Sequence, residues 1–469
     1  MRSTSAPAGF PRRIFDPLVS QFRQSPLLRK AMGNSSWLIG EKILTMAANL
    51  VVTLALARYL NPAGFGALSY LLAIIALVTP LAALGLNAIV TRELVNRAGD
   101  RDQIMATAVG LRLMGAALGS VLCLIIALGG WGIESREGAW ALGILAIANT
   151  MTAFQVIEFW FQAEVEARHI ARMRLLVILV FSMSKILAVW LGAGLMVVAA
   201  LFAAETAMTG VGFWWLYRAK AGKLQWRAFN GDYGRSLLKQ SYWLVLSGVA
   251  AVIYLKIDQV MLTHLASKEE VGVYAVAARL SEVWYFFPNA IVVSFFPALL
   301  RLRVTDTALY QQRLQQLCDL LFVLAFALAL VVGLVGEPII HLLFGVEYQG
   351  AGPILAVHIW AGVFVFMRAL VSKWMLAEQL LVFSLVSHGL GALVNVALNW
   401  LMIPWWGGMG AAIATVISYT IAAYGAFFIP PAARGMALIM TRSILLPVTL
   451  GYRYWPRQRT ATKARESGI

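Results

Sequence analysis

The basic residues of this chain sort onto alternate connections between apolar stretches. About twelve such stretches of roughly 20 residues follow one another, each long enough to cross a ~30 Å hydrocarbon core. Of the 38 lysines and arginines, 29 lie in the amino-terminal tail, every second connection and the carboxy-terminal tail. Only 3 lie in the intervening connections, and 6 lie inside the stretches. Basic connections stay on the cytoplasmic side, so both termini are expected inside and the number of crossings is even. The fold expected is therefore an all-α integral membrane protein with about 12 transmembrane helices, placed in a bacterial inner (cytoplasmic) membrane.

Composition excludes the main alternatives. Sixty per cent apolar and only 13% charged residues over 469 positions do not suit a soluble domain. The net charge of +16 would fit a nucleic-acid binder, but its placement is explained by topology and by attraction to anionic lipid headgroups. No nucleic-acid partner is expected. Cys123 and Cys318 are the only cysteines and have no partner spacing, and His169, His264, His341, His358 and His388 are scattered. Neither a disulfide nor a metal site is expected. Phosphate-cradling glycine loops, HExxH and GxSxG are absent, so no catalytic residue and no cofactor is assigned. Residues 1–35 hold arginines and prolines without an apolar core of signal length, and read as a cytoplasmic tail that can lie on the membrane surface.

The longest connection, 218–240, is basic and divides the stretches six and six. This gives a tail (1–35), an N-lobe (36–217), a cytoplasmic linker (218–240), a C-lobe (241–430) and a C-terminal tail (431–469). Within that tail, 436–451 is short and holds Arg442 and Pro447, so it reads as interfacial rather than spanning. A weak repeat supports the division. Gly64-Phe65-Gly66-Ala67-Leu68-Ser69-Tyr70 opens the second span and Val271-Gly272-Val273-Tyr274-Ala275-Val276 opens the eighth, with Gly66 and Gly272 206 positions apart. Two halves with even span counts form two six-helix lobes related by a parallel pseudo-repeat, with a cavity between bundles able to rock against each other.

A charge at mid-bilayer costs on the order of 3 kcal/mol even on the lenient scale, so each needs a reason. Arg112, Lys185 and Arg368 have no acidic residue within one turn of their own helices. Their partners come from another helix (Glu205 or Glu158, for example), from water or from a ligand. Arg279 and Glu282 are three apart, which makes an intrahelical pair the default. Lys256 and Asp258 are two apart and point to different faces. Glu41 and Lys42 lie near the inner surface and are expected to be mostly wet. Cations facing a water-filled cavity would hold phosphate, diphosphate or acidic sugars. Asp258, Glu205 and Glu158 could carry protons or sodium in a coupled cycle.

Two stretches carry a resemblance. One is Ala57-Arg58-Tyr59-Leu60-Asn61-Pro62-Ala63-Gly64-Phe65-Gly66, with Leu84-Gly85-Leu86-Asn87 and Thr91-Arg92-Glu93-Leu94. The other is Ile257-Asp258-Gln259-Val260-Met261-Leu262 followed by Val271 to Leu280 and Phe296-Pro297. Together they resemble the polysaccharide transport, or O-antigen-type flippase, family of the multidrug/oligosaccharidyl-lipid/polysaccharide exporter superfamily. The resemblance implies a carrier that moves an undecaprenyl-diphosphate-linked oligosaccharide from the cytoplasmic to the outer leaflet by alternating access, for O-antigen, capsule or exopolysaccharide synthesis. It implies the phospholipid bilayer as medium, coupling to protons or sodium, and a polysaccharide polymerase and glycosyltransferases as partners. Arg112, Lys185, Arg279 and Arg368 then stand as substrate-binding cavity cations, with Asp258 and Glu205 as coupling or structural acids.

Three rivals remain from the sequence. A drug or organic-cation antiporter of the same superfamily would share the spans but show a more acidic cavity. A peptidoglycan lipid-precursor flippase resembles this chain with two extra spans. A membrane polymerase or ligase would carry a large extracytoplasmic loop, whereas the longest here, 337–351, holds only Glu337, His341 and Glu347 as candidate groups.

Overall fold

The computed structural model describes residues 26–449. The outer parts of the two expected tails, 1–25 and 450–469, lie outside the described residues. Within the described residues the chain is helical, without a strand, and 10 helical segments are long and apolar enough to cross a membrane.

Two of those segments are each two crossings. Pro26–Ala83 runs for 58 residues, about 87 Å at ~1.5 Å per residue, far longer than a ~30 Å core. It breaks at Asn61, whose φ is 57° and ψ 171°. Asparagine tolerates this left-handed φ better than most residues, and Pro62 behind it has the φ a helix start needs. Leu381–Ala423 breaks likewise at Gly407, φ 50°, where the missing Cβ makes the turn possible. The twelve crossings are thus α1 (26–60), α2 (62–83), α3 (Arg101–Gly129), α4 (Arg136–Ala163), α5 (Ala167–Trp190), α6 (Leu195–Lys220), α7 (Gly231–Leu265), α8 (Lys268–Thr305), α9 (Thr307–Phe344), α10 (Ala351–Ala377), α11 (381–406) and α12 (408–423).

The helices outrun the apolar stretches that announce them. α7 begins at Gly231, so the second half of the expected linker is helix, started by Asn230 Oδ1 accepting from the Tyr233 N–H at 2.9 Å. α8 contains a 3₁₀ turn at Val283–Tyr285. Pro288 explains it: the ring removes the N–H that would bond the Trp284 carbonyl. A last helix, α13 (Pro431–Ile444), is 14 residues long, about 21 Å, too short to cross. It buries Ala433, Met436, Ala437 and Met440 on one side against α9 and exposes Arg442.

Each lobe has its own apolar core, and a further core joins the two. Leu56, Phe65 and Leu68 from α1 and α2 meet Val271, Tyr274, Ile354 and Ala411 from α8, α10 and α12. All lie toward the end of the bundle that carries Asn61 and Gly407. The opposite end carries Arg97, Arg101, Lys220, Lys223 and Arg303, and is called the basic end below.

Candidate functional site

Between α1 and α8 lies a cavity of about 510 Å³. Lys42, Met46, Asn49 and Thr53 face it from α1, spaced at the helical period, and Arg279, Glu282, Phe286 and Asn289 face it from α8. The lining descends from Thr53, eight residues or about 12 Å below the Asn61 turn, to Lys42, about 28 Å below it.

Arg279 is the deepest cation of this cavity. Its Nη1 donates to Thr53 Oγ1 at 3.3 Å, and its guanidinium carbon lies 5.8 Å from the Phe65 ring centre, so it reaches from the C-lobe into the N-lobe. Glu282 does not take Arg279 as the intrahelical partner that the spacing suggests. Lys256 Nζ from α7 donates to both its oxygens, at 2.9 and 2.8 Å. A facing helix supplies a better-aimed cation than the same helix does. Arg279 is left with a hydroxyl and an aromatic face, among the described residues, and so is the group an arriving anion can claim.

The other expected cavity cations sit elsewhere. Arg112, 4% exposed, donates Nε to the Ala82 carbonyl at 3.3 Å. Arg368 donates Nη1 to the Ala422 carbonyl at 2.9 Å and Nη2 to Ser387 Oγ and His388 Nε2 at 2.9 and 3.0 Å. Each caps the last turn of a helix, α2 and α12, where carbonyls lack intrahelical donors and the dipole favours a cation. Lys185 is 1% exposed, bonded to Glu205 between α5 and α6, with Nζ 3.6 Å from the Phe202 ring centre. Glu158 is bonded to Arg174. Glu41, expected to be wet, is 6% exposed and accepts from Thr45 at 3.2 Å. Lys42, by contrast, is exposed into the cavity.

Asp258 lies inside the C-lobe. It is 2% exposed and accepts from Tyr274 Oη at 2.6 Å, Asn399 Nδ2 at 2.6 Å and Thr415 Oγ1 at 2.8 Å. Asn399 in turn donates to Asn395, and Asn395 to Ser418. Four helices, α7, α8, α11 and α12, meet on this one carboxylate, each satisfying a lone pair or a neighbour. Among the described residues no group of three His, Cys, Asp or Glu is placed to hold a metal ion.

The Asn61 end is closed by contacts between the lobes. Arg58 Nη2 donates to the Leu342 carbonyl at 2.7 Å and Tyr348 Oη to the Ala57 carbonyl at 2.8 Å. Lys268 Nζ donates to Glu134 Oε2 at 2.8 Å, and that bond, with its charge, draws the Glu134 carboxyl below its ordinary range. Gly66 and Gly272 meet at the centre of this closure.

Residues 31–303 match the family described as polysaccharide biosynthesis protein. A probable flippase, AglR, of Haloferax volcanii is 28% identical over 183 residues, 38% of this chain and 38% of that protein, so the match spans well under half of the relative. Among solved structures, the lipid II flippase MurJ in an inward closed conformation superposes with a TM-score of 0.66 at 15% identity, over 90% of this chain and 93% of that one. An inward-facing multidrug resistance MATE family transporter of the MOP superfamily gives 0.62 at 16%, over 86% and 96%. At this identity the structural likeness concerns the fold: two six-helix lobes around a cleft.

Proposed function

The chain belongs to the polysaccharide biosynthesis protein family, and from that membership we propose that it is a flippase carrying an undecaprenyl-diphosphate-linked oligosaccharide from the cytoplasmic to the outer leaflet. The observation that carries this reading is the cavity between α1 and α8, cationic through Arg279 and Lys42 and closed at the Asn61 end. The relatives support it: one is a probable flippase and another a lipid II flippase.

The basic end is taken as cytoplasmic. A diphosphate entering from that side meets Lys42 and then Arg279, whose planar fork suits phosphate oxygens. Asn49, Asn289 and Tyr285, which also line the cavity, offer amide and hydroxyl groups to sugar hydroxyls. Glu282 is held by Lys256, so the described lining has a net positive balance that disfavours an organic cation. Release on the far side requires the Arg58–Leu342, Tyr348–Ala57 and Lys268–Glu134 contacts to part while the basic end closes. Asp258 is the proposed coupling acid for protons or sodium, because four helices of the C-lobe converge on its carboxylate, so a change of its charge acts on how that lobe packs. Glu205 is given a structural role beside Lys185.

The test is flipping of a lipid-linked oligosaccharide in proteoliposomes by intact protein, Arg279→Ala and Lys42→Ala. Translocation by intact protein that falls about tenfold or more in folded Arg279→Ala is expected. Absence of lipid translocation, with proton-driven export of organic cations instead, would replace the flippase with an antiporter.

A further inference from the structure

The parallel repeat relates α1 to α7 and α2 to α8, so the cleft between the lobes has two equivalent seams, α1/α8 and α2/α7. The second seam also holds a cavity, of about 540 Å³. It spans the same depth: Lys256 lies nine residues, about 13 Å, from the Leu265 end of α7, and Leu244 about 31 Å from it. The chemistry differs. Lys42, Asn49, Arg279, Glu282 and Asn289 line the first seam, whereas Ala76, Pro80, Gly248, Ala251, Val252 and Leu255 line the second. Its one charged lining residue is Lys256, whose ammonium is bonded to Glu282 of the first cavity. The two cavities are therefore neighbours across a single ion pair, one polar and one apolar.

A lipid-linked diphosphate has the same division within one molecule. Its chain gains little by leaving hydrocarbon, since lipid tails are as apolar as leucine. Its head, drawn into the cleft, needs a gap through which the chain still reaches the bilayer. The α1/α8 seam would press that chain against Lys42, Arg279 and Asn289 and strip water from them. The α2/α7 seam offers small side chains that leave room for a chain and no hydrogen-bonding side chain facing it except Thr79, Asn87 and Lys256. We propose that the α2/α7 seam is a binding groove for the isoprenoid chain of the substrate, while the diphosphate and sugars occupy the α1/α8 cavity, with Lys256–Glu282 marking the junction. This rests on the flippase reading above.

Gly248→Leu and Ala251→Leu fill the groove. A Cβ on Gly248 would meet the Pro80 Cβ at 3.8 Å, ordinary contact, so the fold accepts it. Binding of undecaprenyl diphosphate and of inorganic diphosphate is measured on the purified full chain in nanodiscs. Expected is a loss of about tenfold in undecaprenyl diphosphate affinity for either variant, with inorganic diphosphate unchanged; Arg279→Ala weakens both. A photoreactive residue at Val252 should label the long chain, and one at Leu50 should not. Unchanged long-chain affinity in both leucine variants, or labelling from Leu50 alone, overturns the groove while leaving the flippase reading. Intact protein that binds neither diphosphate overturns both.

Discussion

Gly66 of α2 and Gly272 of α8 meet backbone to backbone across the pseudo-axis. A Cβ on Gly66 would lie 2.9 Å from the Gly272 nitrogen and inside the Lys268 carbonyl; a Cβ on Gly272 would lie inside the Pro62 carbonyl. Each repeat thus contributes one glycine, and each glycine admits the other helix's main chain. Nothing flexible stands in the way to yield, so a methyl group must separate the helices. Gly66→Ala or Gly272→Ala should disfavour the closed Asn61 end by about 1–3 kcal/mol. A cysteine introduced at Thr53 should then react faster with a membrane-impermeant thiol reagent applied from the Asn61 side. Unchanged labelling in both variants would show that the contact does not hold the closure.

The Lys268–Glu134 bond gives the same closure a pH dependence. In the closed arrangement Lys268 holds the Glu134 carboxyl below its ordinary value of 4.5. A lowered carboxyl stabilises the arrangement that lowers it above the released pKa, and that contribution disappears as pH falls through the lowered one. Acidification of the Asn61 side below about pH 4.5 should therefore raise the open fraction, measured by the same labelling. The change should be small because the pair is exposed, and Glu134→Gln should abolish this component without altering the glycine effect.

Arg112, Arg279 and Arg368 should separate in assay. Arg112→Ala and Arg368→Ala each strip donors from the carbonyls at a helix end, at about 1–3 kcal/mol, and should lower the melting temperature. Arg279→Ala should weaken diphosphate binding about tenfold or more with a smaller thermal effect, because Thr53 remains in a cavity water can enter. If Arg112→Ala instead cut binding with stability intact, Arg112 would belong to the substrate path.

What the sequence made legible follows from which forces act locally. Alternating basic loops marked the crossings, because insertion reads charge loop by loop. Asn61-Pro62 was visible as part of a motif, yet the fusion of α1 and α2 around it depends on a single backbone angle. Gly66 and Gly272 were found as a repeat, but their contact joins residues 206 apart and no local pattern announces it. The cavity cations were chosen by depth along a helix, and depth says nothing about face or about the carbonyl ends of neighbours. Ala82 and Ala422 therefore hold Arg112 and Arg368 unannounced. Lys42, Asn49 and Thr53 carried the better signal, three polar residues at positions i, i+7 and i+11 of an apolar helix. Lys256 took Glu282 from Arg279 because tertiary approach outweighs a weak intrahelical pair.

Lys185, whose side chain is 1% exposed, and Glu205, whose side chain is 18% exposed, form a pair whose partners should not be separable. Removing Glu205 leaves the buried Lys185 ammonium without compensation, at about 3–5 kcal/mol, and removing Lys185 strands a half-buried carboxylate at a smaller cost, whereas replacing both by apolar groups of similar size can be neutral. Lys185→Met and Glu205→Leu should each reduce the folded yield, and the double variant should recover it along with transport. Recovery of folding without transport would move the pair from structure to mechanism.

Asp258 offers the sharpest division between support and coupling. Tyr274 and Thr415 both donate to Oδ2 and Asn399 donates to Oδ1, so Asp258→Asn keeps the Asn399 bond only by turning its N–H₂ toward the two hydroxyls, which must then accept instead of donate. A purely structural carboxylate predicts lower thermal stability and a proportional loss of transport, with the dependence on an ion gradient retained. A coupling carboxylate predicts that the variant still binds diphosphate and still exchanges lipid downhill, while an imposed proton or sodium gradient no longer drives it. The readout is the ratio of gradient-driven to downhill flipping in proteoliposomes, a ratio that loss of folded protein cannot change. Four helices of the C-lobe converge on this carboxylate, so under the proposed coupling role the ratio should fall toward one.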